Sequence, residues 1–257
     1  MSNNIFFIFC HQDDEFGLFN IIEKATKKQK NVFVIYLTSG LKTKNQNSKN
    51  KQLQRDKESL KVLLKLGVRR NNIFFLGKKL NIPVYYLYKN LNIVYQEIKN
   101  FLKNHQGKHI IYTHSWEGGN EDHDACFVIV KKIIHQNFKI VKAFEFSQYH
   151  NYKTKILPFK VQNFISDKKK IYRTKIKFND KIKYIHYLFN YISQMYIWLP
   201  IFPFVIMRIL MNDYGNLKMI KKNLIIKKPH KGTLLYEKLR KKKYTYFKKY
   251  FLNFLSN

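Results

Sequence analysis

Two clusters of residues able to do chemistry stand out. The first is FCHQDDEFG, residues 9–17, where His11 and three consecutive acids follow the apolar run from Ile5 to Phe9. Asp13, Asp14 and Glu15 would suit the start of a helix running to about residue 29, since helix N-termini favour side-chain acceptors and negative charge. One acid suffices for that, and His11 is left without a role. A histidine and an aspartate across a tight turn can instead both face one cation. The second cluster is HSWEGGNEDHDA, residues 114–125, with two histidines, four acids and the pair Gly118-Gly119. A catalytic zinc site needs about three nitrogen or oxygen ligands, an open position for water and a nearby carboxylate to take that water's proton. His11, Asp14 and His123 could form such a set and leave Asp13 free as the base. The other reading of His123 is a helix-start residue beside a capping Asp122.

Strands and helices that alternate along the chain would bring these clusters together. Apolar runs at 5–10, 32–37, 73–76, 109–113 and 140–146 read as buried strands, too continuous for half-exposed ones. Helical patterns lie between them at about 14–29, 51–66, 91–104 and 122–136. This order predicts an α/β fold with a doubly wound, mostly parallel, Rossmann-like sheet. Ligands of such sheets gather beyond the carboxyl ends of the strands where strand order reverses, and there the first and fourth strands are neighbours. The two clusters follow those two strands.

The chain of 257 residues is long enough for one large domain, and 45% hydrophobic residues make it globular. Cys10 and Cys126 form no disulfide framework and no zinc-ribbon spacing, so they read as buried thiols of a reducing compartment. No basic leader precedes the short first apolar run, so the expected location is cytoplasmic, with a peripheral membrane association as a variant. Charge is uneven. Residues 1–150 carry 24 Lys+Arg against 12 Asp+Glu, and residues 151–257 carry 25 against 4, out of a net +33. This suggests either an anionic partner or simply a lysine-rich composition.

The residues around both clusters resemble a known family. HQDDE at 11–15 resembles the H-P-D-D-E signature of the PIG-L/LmbE family of zinc-dependent N-acetylglucosaminyl deacetylases. THSWEGGNEDHDA at 113–125 resembles that family's second signature, T-H-x-x-E-G-G-H-x-D-H-D-A. RDKESLKVLLKLGV at 55–68, FEFSQYH at 144–150 and PHKGTLLYE at 229–237 fit in the same order. The resemblance implies a fold of LmbE type and one zinc ion held by His11, Asp14 and His123. It also implies Asp13 as general base and hydrolysis of an acetamido sugar to acetate and a free amine. Arg55 matches a substrate-contacting arginine, and His114, Glu117 and His150 are further candidates for contact with the substrate.

Two positions depart from the family pattern. Gln12 replaces a proline of the first turn. Asn120 replaces a histidine that serves as second oxyanion donor or acid, and an amide donates a hydrogen bond without transferring a proton. Asn120 is therefore a catalytic candidate of reduced power unless His114 or His150 fills the gap. Residues 1–150 are expected to hold the Rossmann-like deacetylase core, and 151–257 to form a basic, aromatic-rich C-terminal extension that completes the domain and could contact the substrate carrier or a membrane surface. Within it YIWLPIFPFVIMRILM, 196–211, is too short and too proline-interrupted to span a membrane. It reads as buried core or as an interfacial helix. KLRKKKYTYFKKY, 238–250, reads first as core or a solvated tail, and its mixture of basic and aromatic residues would also suit anionic lipid or, less well, single-stranded nucleic acid. The alternatives to a working deacetylase are a metal-containing but silent sugar-binding relative and a basic membrane- or nucleic-acid-associated protein.

Overall fold

Continuous apolar strands have to be covered on both faces, and the computed structural model shows how this chain does so; it describes residues 3–42, 46–136, 138–154, 158–165 and 170–256. The strands are β1 (Asn4–Phe9), β2 (Asn31–Tyr36), β3 (Ile73–Phe74), β4 (His109–His114), β5 (Ile140–Phe146), β6 (Tyr149–His150), β7 (Lys160–Val161), β8 (Ile171–Lys175) and β9 (Tyr214–Met219). The helices are α1 (Phe19–Lys27), α2 (Gln46–Lys65), α3 (Leu76–Lys79), α4 (Leu91–Lys103), α5 (Glu121–His135), α6 (Phe178–Leu188), α7 (Met195–Trp198), α8 (Phe202–Met211), α9 (Leu235–Arg240) and α10 (Tyr244–Ser256).

Seven strands form one sheet in the order β3-β2-β1-β4-β5-β9-β8. The first five are parallel, as the alternation predicts, and β9 and β8 add an antiparallel edge. β1 pairs with β4 from Asn4 opposite His109 to Ile8 opposite Thr113, so the loops that follow these strands emerge together. Successive side chains of a strand point to opposite faces. Phe6, Ile8 and Cys10 accordingly enter a core beneath α4, α5 and α10, while Ile5, Phe7 and Phe9 enter one beneath α1, α2 and α6 to α8.

Two expectations change. The helix expected at 14–29 begins as a 3-10 turn, Asp14–Leu18, and becomes α-helical only at Phe19. The acids meant as caps are bound elsewhere, which holds this turn tight. The strand expected at 73–76 stops at Phe74, because α3 turns back over β2. A Cβ on Gly77 would lie 2.2 Å from the backbone of Thr38, so only glycine permits that approach. In the C-terminal part, β8 and β9 extend the sheet, and Tyr244, Phe247, Phe251 and Phe254 of α10 lie in the core shared with α4 and α5. The basic-aromatic stretch 238–250 thus runs from the end of α9 into α10, with Tyr244 and Phe247 in the core and Lys241, Lys242, Lys243, Lys248 and Lys249 exposed. The 196–211 segment also contributes core residues, Trp198, Val205 and Ile209. No described helix is long and apolar enough to cross a membrane.

Candidate metal and active site

β1 runs straight into the first cluster. Asp14 folds its carboxylate back so that Oδ2 accepts the backbone N–H groups of Cys10 at 3.1 Å and His11 at 2.7 Å. Asp13 takes a positive φ of 135°, a conformation non-glycine residues adopt only when their surroundings impose it. This twist separates the two neighbouring carboxylates. Asp13 makes no cap bond, and Glu15 is buried, accepting the N–H of Asp13 at 3.0 Å and the Tyr191 hydroxyl at 2.7 Å. The helix-cap reading of this stretch is therefore corrected: each acid has its own partners.

From the other side, α5 carries His123 and the end of β4 carries His114. The Asp14 carboxylate lies 3.5 Å from His11 Nδ1, 3.2 Å from His123 Nε2 and 3.1 Å from His114 Nε2. Ligand atoms of His11, Asp14 and His123 lie within 4.8 Å of one another, and so do those of Cys10, Asp14 and His114. Chemistry separates the two sets. The Cys10 thiol is pushed well up by burial and donates to the Asp122 carbonyl at 2.9 Å, and His114 Nε2 already accepts the Cys10 N–H at 3.3 Å. In the first set, by contrast, neither ring nitrogen of His123 is hydrogen-bonded among the described residues, although the ring is fully buried. A buried orphan imidazole beside a carboxylate is a donor set suited to zinc or a similar divalent ion.

Protonation follows the same logic. Burial lowers His123 to about 3, helped by the stacked ring of His114 at 3.9 Å, so it is a neutral imidazole with lone pairs to offer. Burial would raise Asp14, but the three histidines outweigh it and hold it well below its ordinary value. Burial would lower His11, but the carboxylates of Asp14 and Asp122 outweigh it and raise it to about 10. A proton thus sits where a cation would compete for His11. Burial raises Asp13 to about 7, opposed mainly by the Arg55 guanidinium.

Two helpers were missed by sequence reasoning. Asp122, read as a cap, accepts from His11 Nε2 at 3.0 Å and from the Leu87 N–H at 3.1 Å. It turns the Nδ1 lone pair of His11 toward Asp14, as a carboxylate behind a ligating histidine does. Trp198 donates its indole N–H to Asp13 Oδ2 at 2.9 Å across 185 positions of sequence. The first lies within the second signature, where its acidic side chain was the only signal; no local signal marks the second.

The other expected residues divide. Arg55 is buried at the site, donating to the carbonyls of Gly40 and Gln12, with Nη2 3.7 Å from Asp13 Oδ1. Asn120 is the true cap of α5: its Oδ1 accepts the Asp122 N–H at 2.9 Å, and its Nδ2 donates to the Tyr149 hydroxyl at 3.3 Å. Glu117 does not face an open site. Its carboxylate accepts from the hydroxyls of Ser115 and Ser147 and the N–H groups of Gln148 and Tyr149, which ties the second loop to β6; burial raises it to about 7. His150 also points away, with Nε2 2.7 Å from the Asn163 carbonyl and Nδ1 accepting the Tyr152 N–H at 3.0 Å. Neither can stand in for the missing histidine at 120. Tyr149 lies closer to the candidate ligands: its ring centroid is 5.5 Å from that of His123, and burial holds its hydroxyl protonated. Gly119 permits this approach, since a Cβ there would lie 1.9 Å from the Tyr149 carbonyl oxygen.

Residues 6–134 match the PIG-L family, described as GlcNAc-PI de-N-acetylase. The chain belongs to the PIG-L family. Solved structures of similar fold include N,N'-diacetylchitobiose deacetylase from Pyrococcus horikoshii, with 15% identity, 85% of this chain and 84% of that chain covered, and a TM-score of 0.61. The zinc-inhibited form of teicoplanin deacetylase is 13% identical, with 84% and 97% covered and a TM-score of 0.60. A conserved protein from Thermus thermophilus is 14% identical, with 89% and 98% covered and a TM-score of 0.52. No curated protein is matched by the chain. This PIG-L member thus has the mixed α/β fold of the LmbE-like deacetylases, and its family's reaction is N-deacetylation.

Proposed function

We propose that this PIG-L member is a zinc-dependent hydrolase that removes the N-acetyl group from an acetamido sugar linked to a nucleotide, lipid or glycan. The observation that carries the proposal is the Asp14 carboxylate set between the buried imidazoles of His11 and His123, the latter 3.2 Å away with neither ring nitrogen hydrogen-bonded among the described residues, and the buried Asp13 next in sequence. His11, Asp14 and His123 would hold one divalent ion per chain. Such an ion supplies Lewis acidity, polarising an amide carbonyl and lowering the pKa of water. Asp13 accepts the proton of the attacking water as that oxygen adds to the acetyl carbon. It then delivers the proton to the nitrogen as the carbon–nitrogen bond breaks, giving acetate and amine. Arg55 and the Trp198 N–H stabilise Asp13 in the ionised form this requires. The Tyr149 hydroxyl, its oxygen held by Asn120, donates toward the developing oxyanion. A cytoplasmic location is part of the proposal and rests on the two buried free thiols.

The test is metal content together with acetate release. Purified protein should carry about one divalent ion per chain, and His11→Ala and His123→Ala should each lose it, since a set of three ligands fails when one is removed. Chelation should abolish acetate release from N-acetylglucosamine and its oligomers; activity indifferent to chelation refutes the proposal. The capping role of Asn120 favours one second reading, a weakened or silent relative. Bound metal without any acetate release would establish it.

A further inference from the structure

Ten of the nineteen exposed large hydrophobic residues among those described fall between residues 178 and 214. That concentration is not explained by the fold. α6 buries Tyr184, Tyr187 and Leu188 against α1 and the sheet, with Ile185 partly buried against the same core, yet Phe178, Ile182 and Phe189 recur on its other side at spacings of four and seven. Phe178 is 68% exposed, and Ile182 and Phe189 are each 50% exposed. A helix with one face in the core should be polar on the opposite face. α8 packs beside α6, joined by the edge-on contact of Phe189 and Phe202 at 4.9 Å, and bares Met207 and Met211. The turn between them adds Ile192 at 68%, Leu199 at 69% and Tyr196 at 97% exposure. Isolated exposed apolar residues are ordinary, but a continuous set of this kind marks an interaction surface.

Charge decides what covers it. Lys170, Arg173, Lys175 and Lys177 lead into α6 and are all exposed. The two acids of the stretch are both paired, Asp180 with Lys183 at 2.8 Å and Asp213 with Lys181 at 2.6 Å. A second copy of this chain would bring two such uncompensated cationic rims together, on molecules of net charge +33. An anionic lipid surface answers both the apolar stripe and the cationic rim. We propose that the exposed face of α6, α7 and α8 docks on an anionic membrane surface. α6 and α8, of 11 and 10 residues, are too short to span, so the helices lie in the interface. The same short helix that turns Tyr196 outward sends the Trp198 indole inward to Asp13, so a docked molecule carries its candidate site beside the lipid boundary.

Docking requires no catalytic step, so it stands or falls apart from the deacetylase reading. The full chain is sedimented with vesicles of phosphatidylcholine containing about one third phosphatidylglycerol, and with phosphatidylcholine alone. The expected result is binding to the anionic vesicles that weakens as salt rises from about 0.1 to about 0.5 M. The combined variant Ile182→Ser, Ile192→Ser, Tyr196→Ser and Leu199→Ser should bind about 10²-fold more weakly with unchanged melting. Tyr196→Ser alone, at a side chain that supports no packing, should weaken binding about threefold or more and carries the test if the combined variant melts early. Equal binding by parent and variants, or no vesicle binding at any salt, overturns the proposal. So does a parent dimer that the same substitutions turn into a monomer, because the face is then covered by a second copy.

Discussion

The Trp198 hydrogen bond offers the sharpest test of how Asp13 works. The indole N–H donates to Asp13 Oδ2 at 2.9 Å in a site where Asp13 is only 8% exposed. A donor to a buried carboxylate favours the ionised form by about 1.5–3 kcal/mol, which at about 1.4 kcal/mol per pH unit is one to two units of pKa. Trp198→Phe keeps an aromatic ring against Phe16, now 4.8 Å away, and Tyr191, now 5.8 Å away, but removes the donor. The sign is fixed: losing a donor to the anion raises the pKa of Asp13, so the base is protonated at pH values where the parent is ionised. A bound cation lowers the absolute value in both proteins, so the prediction concerns the difference between them. In the metal-loaded enzyme the acid limb of the kcat/KM profile for acetate release should move up by about one to two units, with the alkaline plateau largely kept. Phe16→Leu, which disturbs the packing of the same indole without touching the donor, should lower the whole profile without moving the limb. A uniform loss in Trp198→Phe with an unmoved limb would refute the reasoning and make Trp198 a packing residue only.

Four further outcomes follow from the same geometry. Asp122→Asn should leave the three ligands in place yet weaken metal binding about 10- to 100-fold by competition with a chromogenic chelator, because the charged acceptor that orients His11 is replaced by a neutral amide with one acceptor oxygen. Tyr149→Phe should cut acetate release by about 10² to 10³ with metal content unchanged, as removal of one oxyanion donor does. Glu117→Gln should lower the melting temperature by about 4–8 °C, since an amide turned into four donors loses about 2 kcal/mol, while metal content stays near the parent's. In metal-free protein His11 has its pKa raised from 6.5 to about 10, so its contribution is complete below pH 6.5 and lost as pH rises through 10, an upper bound of about 5 kcal/mol. Thermal melts from pH 6 to about 10 should show that decline, and His11→Ala should flatten it.

The central sheet was legible because NIFFIF, NVFVIY and HIIYTH are buried runs that admit one reading, and the site was legible because its residue types fall just after the first and fourth strands. Asp122 was visible but misassigned: an acid at a helix start looks like a cap, and only the structure shows that Asn120 performs that task. Trp198 was invisible, since nothing local to an apolar segment says that one indole crosses to a carboxylate 185 residues away. The last helix was hard to read for a different reason. Tyr244, Phe247, Phe251 and Phe254 carry a helical period of three, four and three, but six lysines and Arg240 between 238 and 250 draw attention to charge instead.

Asn120 links the helix start to the chemistry. A histidine at that position would have to choose between capping α5 and moving a proton, because an imidazole nitrogen engaged with the Asp122 N–H has no lone pair left for chemistry. The asparagine does the first task fully: Oδ1 closes the helix start that presents His123, and Nδ2 secures the oxygen of Tyr149. In the proposed deacetylation, proton transfer would then fall to Asp13, which would cycle between ionised and protonated forms within one turnover. A carboxylate raised by burial and drawn back by Arg55 and Trp198 is placed for that double duty, since its pKa is set by two opposing influences and not by one. The substitution that weakens one acid thus places more weight on the tuning of the other, and makes Trp198 the residue whose loss the chemistry should feel most among those the sequence did not mark.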